Sequence, residues 1–226
     1  MGIGPSFLPF LDRQHALRGL KGPCLGLGTL DLSGKLEDFG HPELVATRGR
    51  RAVGMLLKLR YALDDYRDAD INGLADIALD LNKPLPAALR NTFNLVLNAG
   101  TVEHVFDVRQ AFENIHDMTR LGGTIIHIAP MTWMEHGYVN FSVKLFRELA
   151  ASNGYATDHE AIWKRVPGHE GVLMFGPRFE DPDNRSERWV PTELFEHRTL
   201  PAYLLYFGAF TRIGGGPFTP PIEVGY

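Results

Sequence analysis

Two short runs in this chain set a carboxylate beside an imidazole: Glu103-His104 and Glu135-His136. Imidazole titrates close to neutral pH, so such pairs suit general acid–base work, taking a proton from an attacking hydroxyl or amine and returning it to a leaving group. A third histidine, His127, lies inside a strand-like run and reads as a core residue with a backbone partner. His127, Glu135 and His136, together with Asp107 or His116, include the residue types that ligate metals. No two histidines show an HxxxH or HxH spacing on one element, so no metal is expected. The single cysteine, Cys24, excludes an intramolecular disulfide and a cysteine-based zinc site, and its strand-like surroundings make it a small core residue.

The elements around these pairs decide whether they meet. Leu95, Val96 and Leu97 form a short buried-strand pattern that stops at Asn98-Ala99-Gly100, directly before Glu103-His104. A helix of about four turns is predicted next, ending at Gly122-Gly123, and a second buried strand covers Thr124 to Ile128. Strand, polar loop, helix, glycine turn and strand describe a right-handed crossover in a parallel sheet. Ligands of open α/β sheets bind beyond the carboxyl ends of the strands. His104 and His136 are therefore expected to face one cleft, with Glu103 and Glu135 beside them. Trp133, Tyr138, Asn140 and Phe141 are expected to line a partly apolar substrate pocket.

Upstream, Pro23 to Leu27 reads as the first strand, closed by Gly26-Leu27-Gly28. Tyr61 to Leu63 reads as the second, ending at Asp64-Asp65, and Asp76 to Leu79 as the third, ending at Asp80 before a turn that Pro84 makes rigid. Downstream, a helix is predicted over Ser142 to Asn153 with Gly154 as its cap. Val172 to Phe175 and Tyr203 to Phe210 suit a strand pair separated by a charged loop, and the Gly- and Pro-rich tail suits an extended path. Residues 1–21 form an amphipathic element, with Phe7, Leu8, Phe10, Leu11 and Leu17 placed to pack over the sheet edge or cover a pocket.

The run NLVLNAGTVEHVFD, followed by a helix and RLGGTIIHI, resembles the central part of a class I S-adenosylmethionine-dependent methyltransferase. The similarity extends back through ADIALDLNKPLP and forward through HGYVNFSVKLFRELAASNGY, over roughly residues 22 to 155. The resemblance implies a single Rossmann-like α/β domain over residues 22–226, with a seven-stranded, mostly parallel sheet and helices on both faces. It implies S-adenosylmethionine as cofactor, and a single compact domain with no nucleic-acid-binding appendage favours a small-molecule acceptor, a natural product or sugar derivative. Gly26 and Gly28 would then let backbone approach the amino-acid end of the donor. Asp64 or Asp65 would accept the ribose hydroxyls, Asp80 with Leu81 would read the adenine edge, and Asn98 and Gly100 would complete the cofactor contacts. In this family the histidine of the EHV-type loop also serves to hold that loop in place, so His104 has a structural as well as a chemical reading.

One segment departs from the pattern. The first loop reads LGLGTLDLSG, with Thr29, Leu30 and Asp31 where a further glycine would be expected, and side chains there would narrow the donor pocket. Two other readings follow from that departure: an enzyme of the same fold catalysing cyclisation or elimination, and a non-catalytic subunit supporting an active partner.

The 226 residues suit one α/β domain, and 44% hydrophobic with 22% charged residues is ordinary for a globular chain. A net charge of −4 gives no electrostatic footprint for nucleic acid, and the basic run Arg48, Arg50, Arg51 is short enough to be a solvated helix face. No apolar run is long enough to span a bilayer, and the first residues lack the pattern of a signal peptide, which makes the cytoplasm the expected compartment. The Phe- and Leu-rich start and the extended tail are compatible with a homo- or hetero-oligomer.

Overall fold

Apolar side chains alternating along the central strands create two cores, one on each face of a single large sheet. In the computed structural model, which describes residues 2–47, 49–164, 172–175 and 203–222, the chain runs in order through ten strands and four helices. These are β1 (Gly2–Ile3), α1 (Leu8–Arg18), β2 (Cys24–Leu27), β3 (Asp31–Leu32), α2 (Arg50–Tyr61), β4 (Tyr66–Asp70) and β5 (Ile77–Ala78). There follow β6 (Phe93–Ala99), α3 (Val108–Met118), β7 (Thr119–Pro130), α4 (Val143–Asn153), β8 (Tyr155–Lys164), β9 (Val172–Phe175) and β10 (Leu204–Arg212). Leu95 and Leu97 of β6, with Ile126 and Ile128 of β7, face α1 and α2. Val96, Ile125 and Ala129 point the other way, onto Phe112 and Ile115 of α3 and Phe146 and Leu149 of α4. This period of two is what a strand covered on both sides requires.

The main sheet has the order β5-β4-β2-β6-β7-β10-β8-β9. From β5 through β7 every pairing is parallel, while β10 runs antiparallel to both β7 and β8. The first seven strands in that order are the expected seven-stranded, mostly parallel sheet, and β9 adds an eighth at the β8 edge. β1 and β3 form a separate parallel pair beyond the end of β2. From β2 the chain leaves toward β4 on one side and later returns to β6 on the other, so the switch point lies between β2 and β6, where open α/β sheets bind ligands.

Four details differ from the sequence-based expectations. Tyr61 ends helix α2 and Ala62 takes the left-handed conformation after it, so Tyr61 to Leu63 is no strand. The second sheet strand is β4, whose sequence YRDAD looks too polar for an interior strand. Its buried Asp68 is accommodated because the carboxylate accepts the Asp76 backbone N–H (2.8 Å), and the Asp76 carboxylate accepts the Asp68 N–H in return (3.3 Å). Helix α3 stops at Met118, about a turn before Gly122, and Thr119 to Gly123 already belongs to β7. Finally, β9 and β10 do not pair with each other, because β8 lies between them. The charged segment 178–188 and Arg48 lie outside the described residues.

The predicted cap is present, Gly154 ending α4 at φ 62°, and Ser142, expected as the first helical residue, is instead its N-cap and accepts the Leu145 N–H. The N-terminal helix α1 shares the core of the sheet, with Phe10 against Phe207 and Gln14 and Arg18 on Asp158 of β8.

Candidate active site

The carboxyl end of β6 is built around Asn98. Its side chain is buried, its amide sits 3.1 Å from Nδ1 of His127 on β7, and its Oδ1 accepts the Val102 N–H at 3.1 Å. That second bond draws residues Val102–His104 into one turn of 3₁₀ helix immediately beyond the strand. Gly100 makes the bend possible at φ 78°, a conformation that a side chain would strain. His127 is thus a core residue as expected, but its partner is the Asn98 side chain rather than backbone. Packed against Phe112, Phe146 and Phe210, it has its pKa pushed down to about 3 by burial.

The turn places Glu103 fully inside, at 0% exposure, and His104 at the surface. The loop after β7 folds back over it. Tyr138 N–H donates to the Glu103 carbonyl (2.8 Å), Phe141 N–H to the Pro130 carbonyl (2.7 Å), and Trp133 N–H to Oδ1 of Asn140 (2.9 Å). Gly137 lies directly on Glu103: a Cβ there would stand 2.7 Å from the Glu103 carbonyl oxygen and 2.9 Å from its Cγ. Only glycine permits so close an approach. The fold-back brings His136 over the buried carboxylate, with Nε2 3.6 Å from Oε1 of Glu103. Trp133 stacks on the His136 ring at 4.0 Å and 14°, and His104 meets it edge-on at 4.9 Å.

The electrostatics follow from burial. Desolvation raises the Glu103 carboxyl to about 7 and holds both His104 and His136 below the usual histidine range. Among the described residues neither Glu103 oxygen has a hydrogen-bond partner, and neither does Nε2 of His136. A separation of 3.6 Å is too long for a hydrogen bond between them. The result is a carboxyl and two imidazoles converging at the carboxyl edge of the sheet, able to exchange protons with a bound molecule.

Of the predicted catalytic residues, Glu103, His104 and His136 come together, whereas Glu135 sits exposed on a left-handed turn (φ 57°) outside that trio. Of the predicted pocket residues, Trp133 lies against His136. Tyr138 is 72% exposed with its ring edge-on to exposed Phe106, and Asn140 serves the loop's own backbone. Phe141 is not a pocket residue: it is buried with Phe112 and Phe146 in the core beneath the loop, where an apolar ring stabilises the loop's return.

The predicted donor-binding residues divide in the same way. Gly28, at φ 77°, does lie at the switch point, facing Thr101, whose hydroxyl donates across to the Leu27 carbonyl. Gly26 is pressed from the α2 side by the Tyr66 hydroxyl, so its lack of a side chain makes room for tyrosine rather than for a ligand. Asp64 and Asp65 precede β4 and stand at the opposite, amino end of the sheet. Asp64 pairs there with Lys58, and the Asp65 carbonyl accepts the Cys24 N–H. The carboxylate at the carboxyl end of this strand is Asp70, the last residue of β4. Its Oδ2 accepts from the Thr29 N–H (2.9 Å), the Thr29 hydroxyl and Asn72, beside the first loop. Asp80 follows β5 as expected, with its carboxylate on the Asn82 N–H and Lys83, and Leu81 beyond it is buried. The first loop does not narrow the crevice with Leu30, which turns into the core, while Asp31 joins the β1–β3 pair.

Asp70, Thr101 and Gly137 are not among the residues expected from the sequence. The sequence marks them by an acid closing a run that precedes Asn72-Gly73, a threonine two residues before Glu103 and a glycine directly after His136.

This sheet order, with helices on both faces and β10 reversed, is the fold of the class I S-adenosylmethionine-dependent methyltransferases. The crystal structure of a SAM-dependent methyltransferase from Archaeoglobus fulgidus matches 90% of this chain and 92% of its own, with TM-score 0.52 and 11% identity. A Burkholderia thailandensis 1,6-didemethyltoxoflavin-N1-methyltransferase, with bound 1,6-didemethyltoxoflavin and S-adenosylhomocysteine, matches 91% of this chain and 78% of its own at TM-score 0.43 and 14% identity. No protein-family model and no curated protein matches the sequence.

Proposed function

We propose that the protein transfers a methyl group from S-adenosylmethionine to a small-molecule acceptor. The observation that carries this reading is one of placement. At the β2–β6 switch point, Gly28 and Asp70 lie at the same carboxyl edge as Glu103, His104 and His136. The residues fit the donor. Asp70 ends the second sheet strand, and among the described residues its Oδ1 accepts the Asn72 N–H (3.2 Å) alone, which leaves it acceptor capacity for a ribose hydroxyl. Gly28, at φ 77°, lets the first loop turn here and leaves room for the Thr101 side chain. Asp80 and Leu81 follow β5 and Gly100 follows β6, where they would contact the donor.

When bound, S-adenosylmethionine supplies the electrophilic methyl group. What this chain contributes is orientation and a proton acceptor. An acceptor oxygen or nitrogen that gave its lone pair to the methyl carbon, with the carbon–sulfur bond breaking to leave S-adenosylhomocysteine, would pass its proton to Glu103, His104 or His136. A positioned base of this kind adds about 10²- to 10⁴-fold, and alignment of the reactants contributes more. Trp133 and Tyr138 offer flat apolar surfaces beside the cluster, which suits an acceptor with a ring. A role in natural-product or sugar biosynthesis and a cytoplasmic location accord with this reading. No helix among the described residues is long and apolar enough to cross a membrane.

Titration calorimetry with S-adenosylmethionine and S-adenosylhomocysteine tests the proposal. Binding in the micromolar range is expected, and none up to millimolar concentration would overturn it.

A second reading is favoured by the engagement of Asp70 Oδ2 with Thr29 and Asn72: the same fold and cluster would catalyse an elimination or cyclisation without a methyl donor. Product mass separates the two, since a gain of one methyl group belongs only to the first.

A further inference from the structure

Glu103, His104 and His136 each offer one ligand atom, and the three atoms all lie within 4.8 Å of one another. We propose that they form a binding site for a transition-metal dication, such as zinc, manganese or ferrous iron. The inference goes beyond the methyl-transfer reading; a metal here would take up the atoms offered there as proton acceptors, while the donor crevice at Gly28 and Asp70 stands apart from it.

The strongest support is what the trio lacks. Glu103 is buried at 0% exposure with both oxygens unpartnered among the described residues, and the His136 Nε2 aimed at it is buried and unpartnered too. A buried carboxylate is normally paired, hydrogen-bonded or bound to a metal. The distance also fits an ion shared between the two groups. With metal–ligand bonds of about 2.0–2.1 Å, ligand atoms around a tetrahedral ion stand about 3.4 Å apart. Nε2 of His136 and Oε1 of Glu103 are 3.6 Å apart, too far for a hydrogen bond and close to that edge length. The donor set selects the metal class: two imidazoles with one carboxylate suit zinc, iron, cobalt or manganese, whereas calcium and magnesium call for oxygen ligands throughout.

The supports of the ligands are equally specific. Trp133 stacks on the His136 ring and fixes its plane. Gly137 permits the loop to reach the carboxylate, and the Tyr138 N–H on the Glu103 carbonyl holds the two ligand-bearing segments together. Three protein ligands leave coordination positions open, as catalytic rather than structural metal sites do. The open side would take an oxygen of a bound molecule. Because the ligands come from the loops after β6 and β7, no HxxxH or HxH spacing announces them in the sequence.

The full-length protein, stripped with a chelator and dialysed, is titrated with zinc chloride and separately with cobalt chloride. Binding is followed by calorimetry and by the visible absorption of cobalt. One equivalent is expected, with a cobalt spectrum of low coordination number. Changes to groups that merely hydrogen-bond a ligand cost about 10- to 100-fold in affinity, so Glu103→Gln, His104→Ala and His136→Ala should each cost at least about 100-fold. Trp133→Ala, which removes no ligand, should weaken binding less and alter the cobalt spectrum. Circular dichroism and thermal unfolding identify any variant that fails to fold. His104→Ala, at the surface, is the one least exposed to that problem. Absence of stoichiometric binding by the native protein would overturn the site, as would affinity unchanged in His104→Ala. S-adenosylmethionine binding measured on the same metal-free sample reports on the Gly28–Asp70 crevice, so loss of one reading leaves the other standing.

Discussion

Replacing His127 with leucine should reverse the order of stability between variant and native protein as the pH falls. In the native protein the ring is buried, and its aromatic neighbours Phe112, Phe146 and Phe210 carry no charge. Its Nδ1 accepts from the Asn98 amide at 3.1 Å, which keeps the ring neutral. Burial pushes the pKa from 6.5 down to about 3 in the folded state. The folded value lies below the unfolded one, so the stability tied to the neutral ring is fully present above about pH 6.5. It is lost as the pH falls toward 3, at about 1.4 kcal/mol per pH unit. By about pH 4 the native protein has lost roughly 3 kcal/mol from this residue alone.

Leucine removes that titration but strands the Asn98 amide, which costs about 1–3 kcal/mol at neutral pH. The variant should therefore be the less stable protein at about pH 7, match the native protein near about pH 5, and exceed it at about pH 4. Urea unfolding followed by circular dichroism at several pH values supplies the free energies. The other buried histidines, including His159 at about 4, are common to both proteins and cancel in the difference. A gap that stays constant from about pH 7 to about pH 4 would refute the reasoning, because it would mean that His127 does not have to charge inside the core.

Gly137→Ala should destabilise the protein by about 1–3 kcal/mol, the usual cost of an overpacked contact, and lower kcat/KM by displacing the loop from Glu103. Thermal unfolding and steady-state rates equal to those of the native protein would contradict it. Asp70→Asn should weaken S-adenosylmethionine binding by about 10-fold or more through loss of a charged acceptor, while Asp65→Asn, at the other end of the sheet, should leave it within about twofold. Calorimetry on the two variants decides between the two ends. Thr101→Val removes the hydroxyl that bridges to the Leu27 carbonyl and should cost about 1 kcal/mol of stability. An unchanged urea midpoint would show that this bond across the β2–β6 crevice contributes nothing.

The fold was legible wherever burial on both faces forced a strand into a plain apolar run. Leu95 to Leu97 and Thr124 to Ile128 could be read directly, and the capped helix after them was marked at both ends by Ser142 and Gly154. The reading failed where polar residues occupy interior strands and find partners only in three dimensions. Asp68 looks like a turn residue until the backbone of Asp76 is beside it. Tyr155 to Lys164 hides as YATDHEAIWK because Asp158 is taken up by Gln14 and Arg18, and Glu160 by Arg147 and Tyr206. Because Tyr61 to Leu63 has the apolar look of a strand, the expected acid falls on Asp64 and Asp65, whereas the strand that ends in an acid is β4, at Asp70.

The candidate site shows the same division at finer grain. A glutamate followed by a histidine after a strand marks a place, but the sequence does not say which member of the pair goes inside. The Asn98 side chain settles that by pulling Val102 into a tight turn, which buries Glu103 and exposes His104. The second pair resolves the opposite way: the left-handed turn at Glu135 puts the acid outside and sends His136 inward. One acid and two imidazoles therefore meet instead of two matched pairs, and that asymmetry leaves the buried carboxylate without a partner of its own. Adding a hydrogen-bond donor to the trio would satisfy Glu103 and make the cluster structural. The absence of one among the described residues is what makes a bound proton donor or cation the natural complement.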